Sequence, residues 1–202
     1  MKNPQDRAKA EDKGDFRNGM PFLGGSLWID LLNSSFAPNG VPVDFLSDEA
    51  ALADWARAAG LAFDGRPATG ELEALRTLRD CLDMAFQQML RGEALSSEVL
   101  DTVNAFLGRL SIHLRISNAQ DAPALEETER VEGPVLAVRI AADFARFTTH
   151  YEASRLKHCE SPACTMLFYD RGKNARRRWC STAVCGNRDK VANYRARKLE
   201  NG

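Results

Sequence analysis

Apolar positions recur at three- and four-residue spacing through most of the first 150 residues, switch once to strict alternation, and then return to the helical period. Ser47-Asp48-Glu49 reads as a helix start, a capping hydroxyl followed by two acids that suit the positive end of a helix. That helix is expected to run to Ala59 and stop at Gly60. Thr69 opens a longer one, with Leu72, Leu75, Leu78, Leu82, Phe86 and Met89 along one face and an end near Gly92. Ser96 opens a third, carrying Val99, Val103, Phe106 and Leu107. Leu110, Ile112, Leu114 and Ile116 then alternate with Ser111, His113, Arg115 and Ser117, which is strand periodicity, and Leu125–Val131 supplies a returning strand. Gly133-Pro134 introduces a further helix through Val135, Val138, Ala142, Ala145 and Phe147, running towards Leu156. The pattern predicts a mainly α protein, its residues 20–154 a helical domain with one short β-hairpin.

Ahead of these elements, Gly24-Gly25 precedes a mixed apolar run from Leu27 to Leu32. Residues 1–19 are polar and charged and read as a disordered tail. No apolar stretch follows the basic start, as a secretory leader requires, and no run approaches the roughly 20 apolar residues of a membrane span. The expectation is a cytoplasmic protein.

The net charge of −1 hides an asymmetry. Residues 155–202 hold 12 Lys/Arg against 4 Asp/Glu, a balance of +8, while residues 1–154 hold 15 against 24, a balance of −9. A basic end on an acidic body suggests that the end meets a polyanion.

Four of the five cysteines stand in that basic end as C-x4-C, fifteen residues, C-x4-C: Cys159, Cys164, Cys180 and Cys185. Two close thiolate pairs can occupy the corners of a tetrahedron about Zn²⁺. An iron–sulfur cluster, unmetallated thiols or disulfides are the alternatives, and a cytosolic setting disfavours disulfides. Ser161-Pro162 supplies the bend between the first pair. Met166–Tyr169 and Arg177–Trp179 are expected to be two strands flanking a turn at 170–174, and Ser181 or Thr182 to cap a final helix holding Cys185 in its first turn. Pair, hairpin, pair, helix is a treble-clef-like layout. Cys81 sits among apolar positions of the long helix and reads as core, and His158 is a weaker candidate ligand than its neighbour Cys159.

Around the cysteines stand Arg171, Lys173, Arg176, Arg177 and Arg178, then Arg188, Lys190, Arg195, Arg197 and Lys198. Guanidinium forks match phosphate oxygens, and clustered cations release counterions from nucleic acid. Arg171, Lys173, Arg176, Arg177, Arg188, Lys190 and Arg195 are the candidate contacts; Arg178, beside Trp179, can instead support the fold. Phe168, Tyr169 and Trp179 fit the core of so small a module better than base stacking. Asn187, following a ligand and a glycine, is placed to bond backbone or thiolate around the metal. In the helical domain, Asp30 and Asn33 share a helix face and can bind a small ligand or satisfy nearby backbone groups. No nucleophile–base pair, phosphate loop or His/carboxylate cluster is present, so no enzyme is expected.

Cys185-Gly186-Asn187-Arg188, preceded by Arg177-Arg178-Trp179-Cys180 and Phe168-Tyr169-Asp170, closely resembles the CGNR zinc finger. Gly25-Ser26-Leu27-Trp28-Ile29-Asp30-Leu31-Leu32-Asn33-Ser34 resembles the G-x-L-x-L-D-x-x-N-T opening of the ABATE domain that accompanies this finger, with Ile29 and Ser34 departing from it. The resemblance implies a zinc-binding, DNA-binding transcriptional regulator of stress response, its helical domain sensing a small-molecule effector or forming a homodimer. A zinc-stapled protein-interaction module and a thiol redox switch are the rival readings.

Overall fold

The computed structural model describes residues 16–37, 40–61, 67–119 and 122–200. Six α-helices are present among them: α1 Leu27–Leu32, α2 Glu49–Ala58, α3 Glu71–Leu90, α4 Ser97–Leu107, α5 Val135–Thr148 and α6 Asn187–Glu200. Four antiparallel hairpins join them: β1 Phe16–Arg17 with β2 Met20–Pro21, β3 Ser35–Phe36 with β4 Val43–Asp44, β5 Leu110–Ala119 with β6 Ala122–Val131, and β7 Leu156–His158 with β8 Leu167–Tyr169. The tail expected over residues 1–19 lies outside the described residues as far as residue 15. Its last four residues instead supply β1 and the turn of the β1–β2 hairpin, Asn18 and Gly19 having φ of 50° and 75°.

Side chains cap three of the helix starts. Asp48, rather than Ser47, caps α2, its carboxylate accepting from the Ala50 and Ala51 N–H groups at 2.9 Å each. Ser96 caps α4 through Val99 N–H. Pro134 has no side chain with which to cap α5, and the buried Glu71 of α3 does so from outside, accepting from Ala137 N–H at 2.9 Å. Burial raises the Glu71 carboxyl above its ordinary range against the pull of those N–H groups.

The core gathers around α1, which is short and buried almost all round. Trp28 is fully enclosed, its ring 5.1 Å from Phe144, 5.2 Å from Phe147 and 5.9 Å from Phe86. The long faces of α3, α4 and α5 close over it, with Leu75, Leu78, Leu82, Phe86 and Met89 buried as their spacing predicts. Cys81 joins them as core, its thiol 3.8 Å from the Val99 carbonyl.

Three expectations need correction. The β5–β6 hairpin is not short: it holds ten residues per strand, and only its root, Leu110 and Val131, packs on the core. Helix α5 ends at Thr148, not towards Leu156. The hydroxyls of Thr148 and Thr149 fold back onto the carbonyls of Ala145 and Arg146 at 2.7 Å, and Leu156 has become a strand residue facing Tyr169. The partner of strand 167–169 is therefore β7 rather than Arg177–Trp179, whose backbone is held irregular by side chains described below. Leu156 and Leu167 belong to the same core as α1, so the C-terminal unit is built onto the helical domain rather than hung from it.

Candidate metal centre and its basic rim

The four cysteines come together through two tight backbone devices. Between β7 and β8 the chain doubles back, with Cys164 N–H donating to the Ser161 carbonyl at 3.0 Å and Cys159 N–H to Met166 at 2.9 Å. After Cys180 a single π-turn, Thr182–Gly186, is closed by Gly186 N–H on the Ser181 carbonyl. Cys185 thus precedes α6 instead of lying in its first turn, and neither Ser181 nor Thr182 caps by its side chain. Gly186 lies against the Trp179 ring and the Thr182 methyl, where a Cβ would make ordinary contacts at 3.4 and 3.5 Å.

All four Sγ atoms lie within 4.8 Å of one another. Cys180 Sγ is 3.7 Å from Cys164 Sγ and 3.6 Å from Cys185 Sγ. A Zn–S bond of about 2.3 Å in tetrahedral geometry gives an S–S edge of about 3.8 Å, so the donor set fits zinc in both chemistry and spacing. Cys180 N–H points at Cys159 Sγ at 3.4 Å, the sort of contact that supports a thiolate ligand. The cluster calls for a cation. The hydrogen bond from Cys180 draws Cys164 down to about 5, whereas Cys180, as donor and buried, goes up; burial and the Cys164 charge push Cys185 up to about 11. Thiolates packed this closely raise one another's cost of ionising, and a shared dication offsets that repulsion. His158 stays out, its ring edge against Phe86 at 5.8 Å.

The helical domain covers this centre. Leu23 is buried with Cys159, Met166, Phe168, Cys180 and Cys185, and Phe16 and Phe36 pack against them. Phe16 was expected in the tail, and nothing in the local pattern singled it out. An apolar cavity of about 210 Å³ runs beside Cys164 and Cys185, with Arg188 on its wall. Asn33 joins the two units directly, donating to the Leu167 carbonyl and accepting from Leu167 N–H, both at 2.9 Å. Asp30 is buried nearby and accepts from Gly24 N–H at 2.8 Å, while the Gly24 carbonyl takes Tyr169 N–H. Burial pushes the Asp30 carboxyl up to about 7, with Asp143 adding and Gly24 N–H, Arg17 and Arg171 opposing. Between them, the polar atoms of Asp30 and Asn33 serve backbone groups of this joint.

The loop from Asp170 to Trp179 is organised by a residue the sequence reading left without a role. Asp170 is fully buried and accepts from Gly172 N–H at 2.9 Å, Arg177 N–H at 2.7 Å and Lys157 Nζ at 3.0 Å. Burial alone would raise its carboxyl; these donors more than offset that and hold it below the usual carboxylate range. The signal was an Asp two residues before a Gly, an Asx-turn spacing.

The basic residues divide by what they touch. Arg177, expected to meet phosphate, is spent on the fold: its guanidinium bonds the Trp179 and Cys180 carbonyls and lies 4.6 Å above the Phe168 ring. Arg178 pairs with Glu160 at 2.6 Å and covers Trp179. Phe168 is fully buried and Trp179 half-buried, as core aromatics. Asn187 donates to the Ala183 carbonyl at 2.9 Å, bonding the π-turn backbone rather than a thiolate. Arg171, Lys173, Arg176, Lys190 and Arg195 are exposed, and Lys173 and Arg176 have no hydrogen bond or ion pair among the described residues. Arg171, Arg176, Arg177 and Arg178 line an open basin of about 540 Å³ together with Asp170, Asn174 and Trp179.

Comparison with known families matches residues 155–198 to the CGNR zinc finger and residues 25–151 to the ABATE family, described as "Putative stress-induced transcription regulator". No individual curated protein gives a match. No helix among the described residues is long and apolar enough to cross a membrane.

Proposed function

This chain belongs to the ABATE family, and from that premise we propose that it is a zinc-stabilised, non-enzymatic regulator that binds DNA through the basic rim of its finger. Cys159, Cys164, Cys180 and Cys185 hold the metal as a closed structural site, with no ligand position left for substrate. We read the finger as treble-clef-like, from a cysteine knuckle set between the strands of the β7–β8 hairpin and a closing helix after the second pair.

The observation that carries the DNA reading is the sorting of the arginines. Arg177 and Arg178 are engaged in the fold, yet Arg171 and Arg176 are exposed at one open basin, Lys173 is exposed on the same loop, and Lys190 and Arg195 extend the positive surface along α6. A cluster of exposed cations, Lys173 and Arg176 among them without an ion pair among the described residues, suits a phosphate backbone. Duplex DNA titrated against the zinc-loaded chain over a range of salt tests it. Binding that weakens steeply with salt supports the reading. No binding to any duplex at low salt would overturn it and favour a finger that meets an acidic protein.

A further inference from the structure

The β5–β6 hairpin has no part in that reading. It stands as a two-stranded ribbon, each strand paired only with the other among the described residues. Such a ribbon is marginal in water unless a third strand or a packed cover completes it. Beyond the root, Ile112, Leu114, Ile116 and Leu125 are 60%, 64%, 76% and 61% exposed. The register sets Ile112 opposite Glu129, Leu114 opposite Glu127 and Ile116 opposite Leu125, so one face carries an apolar β5 beside a largely acidic β6.

The two free edges differ in what they tolerate. A second β6 laid antiparallel on β6 sets glutamates against each other, Glu127 on itself or Glu127 on Glu129, which is destabilising. The β5 edge is self-complementary instead. With a two-fold axis at Leu114, Leu114 meets its own copy, Ile112 meets Ile116, Ser111 meets Ser117, and Arg115 meets His113 with Glu126 across from it within its own hairpin. Moving the axis to Arg115 puts guanidinium against guanidinium. Moving it to His113 asks Leu110, which already packs on its own core, to meet Ile116.

We propose that β5 is a dimerisation strand, which a second copy of this chain joins through its own β5 to complete a four-stranded antiparallel sheet. The union pairs backbone groups along the free edge and merges the apolar rows of both copies into one central stripe, with Glu127 and Glu129 on the outer strands. Charge complementarity chooses the occupant: the apolar edge accepts a copy of itself and the acidic edge repels one. The assembly is independent of the DNA reading, because it is measured without nucleic acid.

The test uses the full zinc-loaded chain in sedimentation velocity at micromolar concentration, where a two-chain mass is expected. Leu114→Lys, at an exposed position, should weaken the dimer at least tenfold with unchanged helical signal and zinc content, and Glu127→Lys should leave it intact. In a glutathione redox mixture, Leu114→Cys should form an intermolecular disulfide, two thiols reducing one oxidised glutathione to two reduced. Glu127→Cys and the parent chain should not. A monomer throughout, a dimer that survives Leu114→Lys, or no cross-link at position 114 would overturn the proposal.

Discussion

The side-chain amide of Asn33 exchanges two hydrogen bonds with the backbone of Leu167, each 2.9 Å, and so acts as a further strand residue beside β8. Both partners are buried, and 134 positions of chain separate them. This one side chain couples the helical domain to the strand that leads out of the metal knuckle. Replacing it with alanine strands a buried N–H and a buried carbonyl. Asn33→Ala should cost about 2–6 kcal/mol, from a penalty of roughly 1–3 kcal/mol for each of the two orphaned groups. Asn33→Asp should recover only the half that accepts from Leu167 N–H. Chemical denaturation gives the stability, and chelator competition should show zinc leaving faster from the alanine variant. Unchanged stability would mean that water replaces the amide at no cost.

The metal centre predicts one zinc per chain. Cys180 lies 3.6–3.7 Å from two other ligand sulfurs, so Cys180→Ser removes a corner of the tetrahedron that nothing else can fill. Elemental analysis should find near one equivalent in the parent and in Cys81→Ser, whose thiol is buried away in the helical core, and far less in Cys180→Ser. Full zinc in Cys180→Ser would refute the ligand set.

Much of this was legible in the sequence, and the failures share a cause. The helices declared themselves through period and caps, and the cysteine cluster through spacing, because both are local codes. The finger's strand pairing was not local. Leu167–Tyr169 could have taken either flank, and the choice of β7 follows from Asp170, Lys157 and Arg177 tying the later segment into an irregular loop. The β5 alternation was read correctly as a strand, but alternation marks an apolar face without saying what covers it. The cationic residues looked alike in sequence, and only their partners separate Arg177 from Arg176.

Asp30 makes stability depend on pH in a direction opposite to that of an ion-paired acid. Its folded value, about 7, lies above the ordinary carboxylate value, so the folded state holds a proton that the unfolded chain has released. That contribution is fully present below about pH 4 and is lost as pH rises through 7. Between pH 6 and 8 the parent should lose about 1 kcal/mol relative to Asp30→Asn, from the 1.36 kcal/mol that each pKa unit represents. Parallel urea titrations of the two proteins cancel the common effect of pH on the zinc thiolates. A constant difference between them would show that Asp30 is ionised throughout.

The sorting of the arginines gives the sharpest test of the proposed function. If Lys173 and Arg176 touch phosphates, each contact adds about −0.9 to the slope of log affinity against log salt on duplex DNA. The double variant Lys173→Ala, Arg176→Ala should therefore flatten that slope by roughly one to two units. Zinc content and unfolding should stay as in the parent, because neither side chain has a hydrogen bond or ion pair among the described residues. Arg177→Ala should behave in the opposite way. It abandons the Trp179 and Cys180 carbonyls and the Phe168 ring, so the loop beside a zinc ligand loses its brace and unfolding comes earlier. Any weaker DNA binding in that variant should track the fraction folded and leave the salt slope of the folded part unchanged. A zinc-loaded, fully folded Lys173→Ala, Arg176→Ala protein with the parent's slope would remove Lys173 and Arg176 from the DNA interface. Arg171 and the cations of α6 would then be the remaining contacts, and Arg171→Ala, Lys190→Ala and Arg195→Ala would carry the same measurement to them.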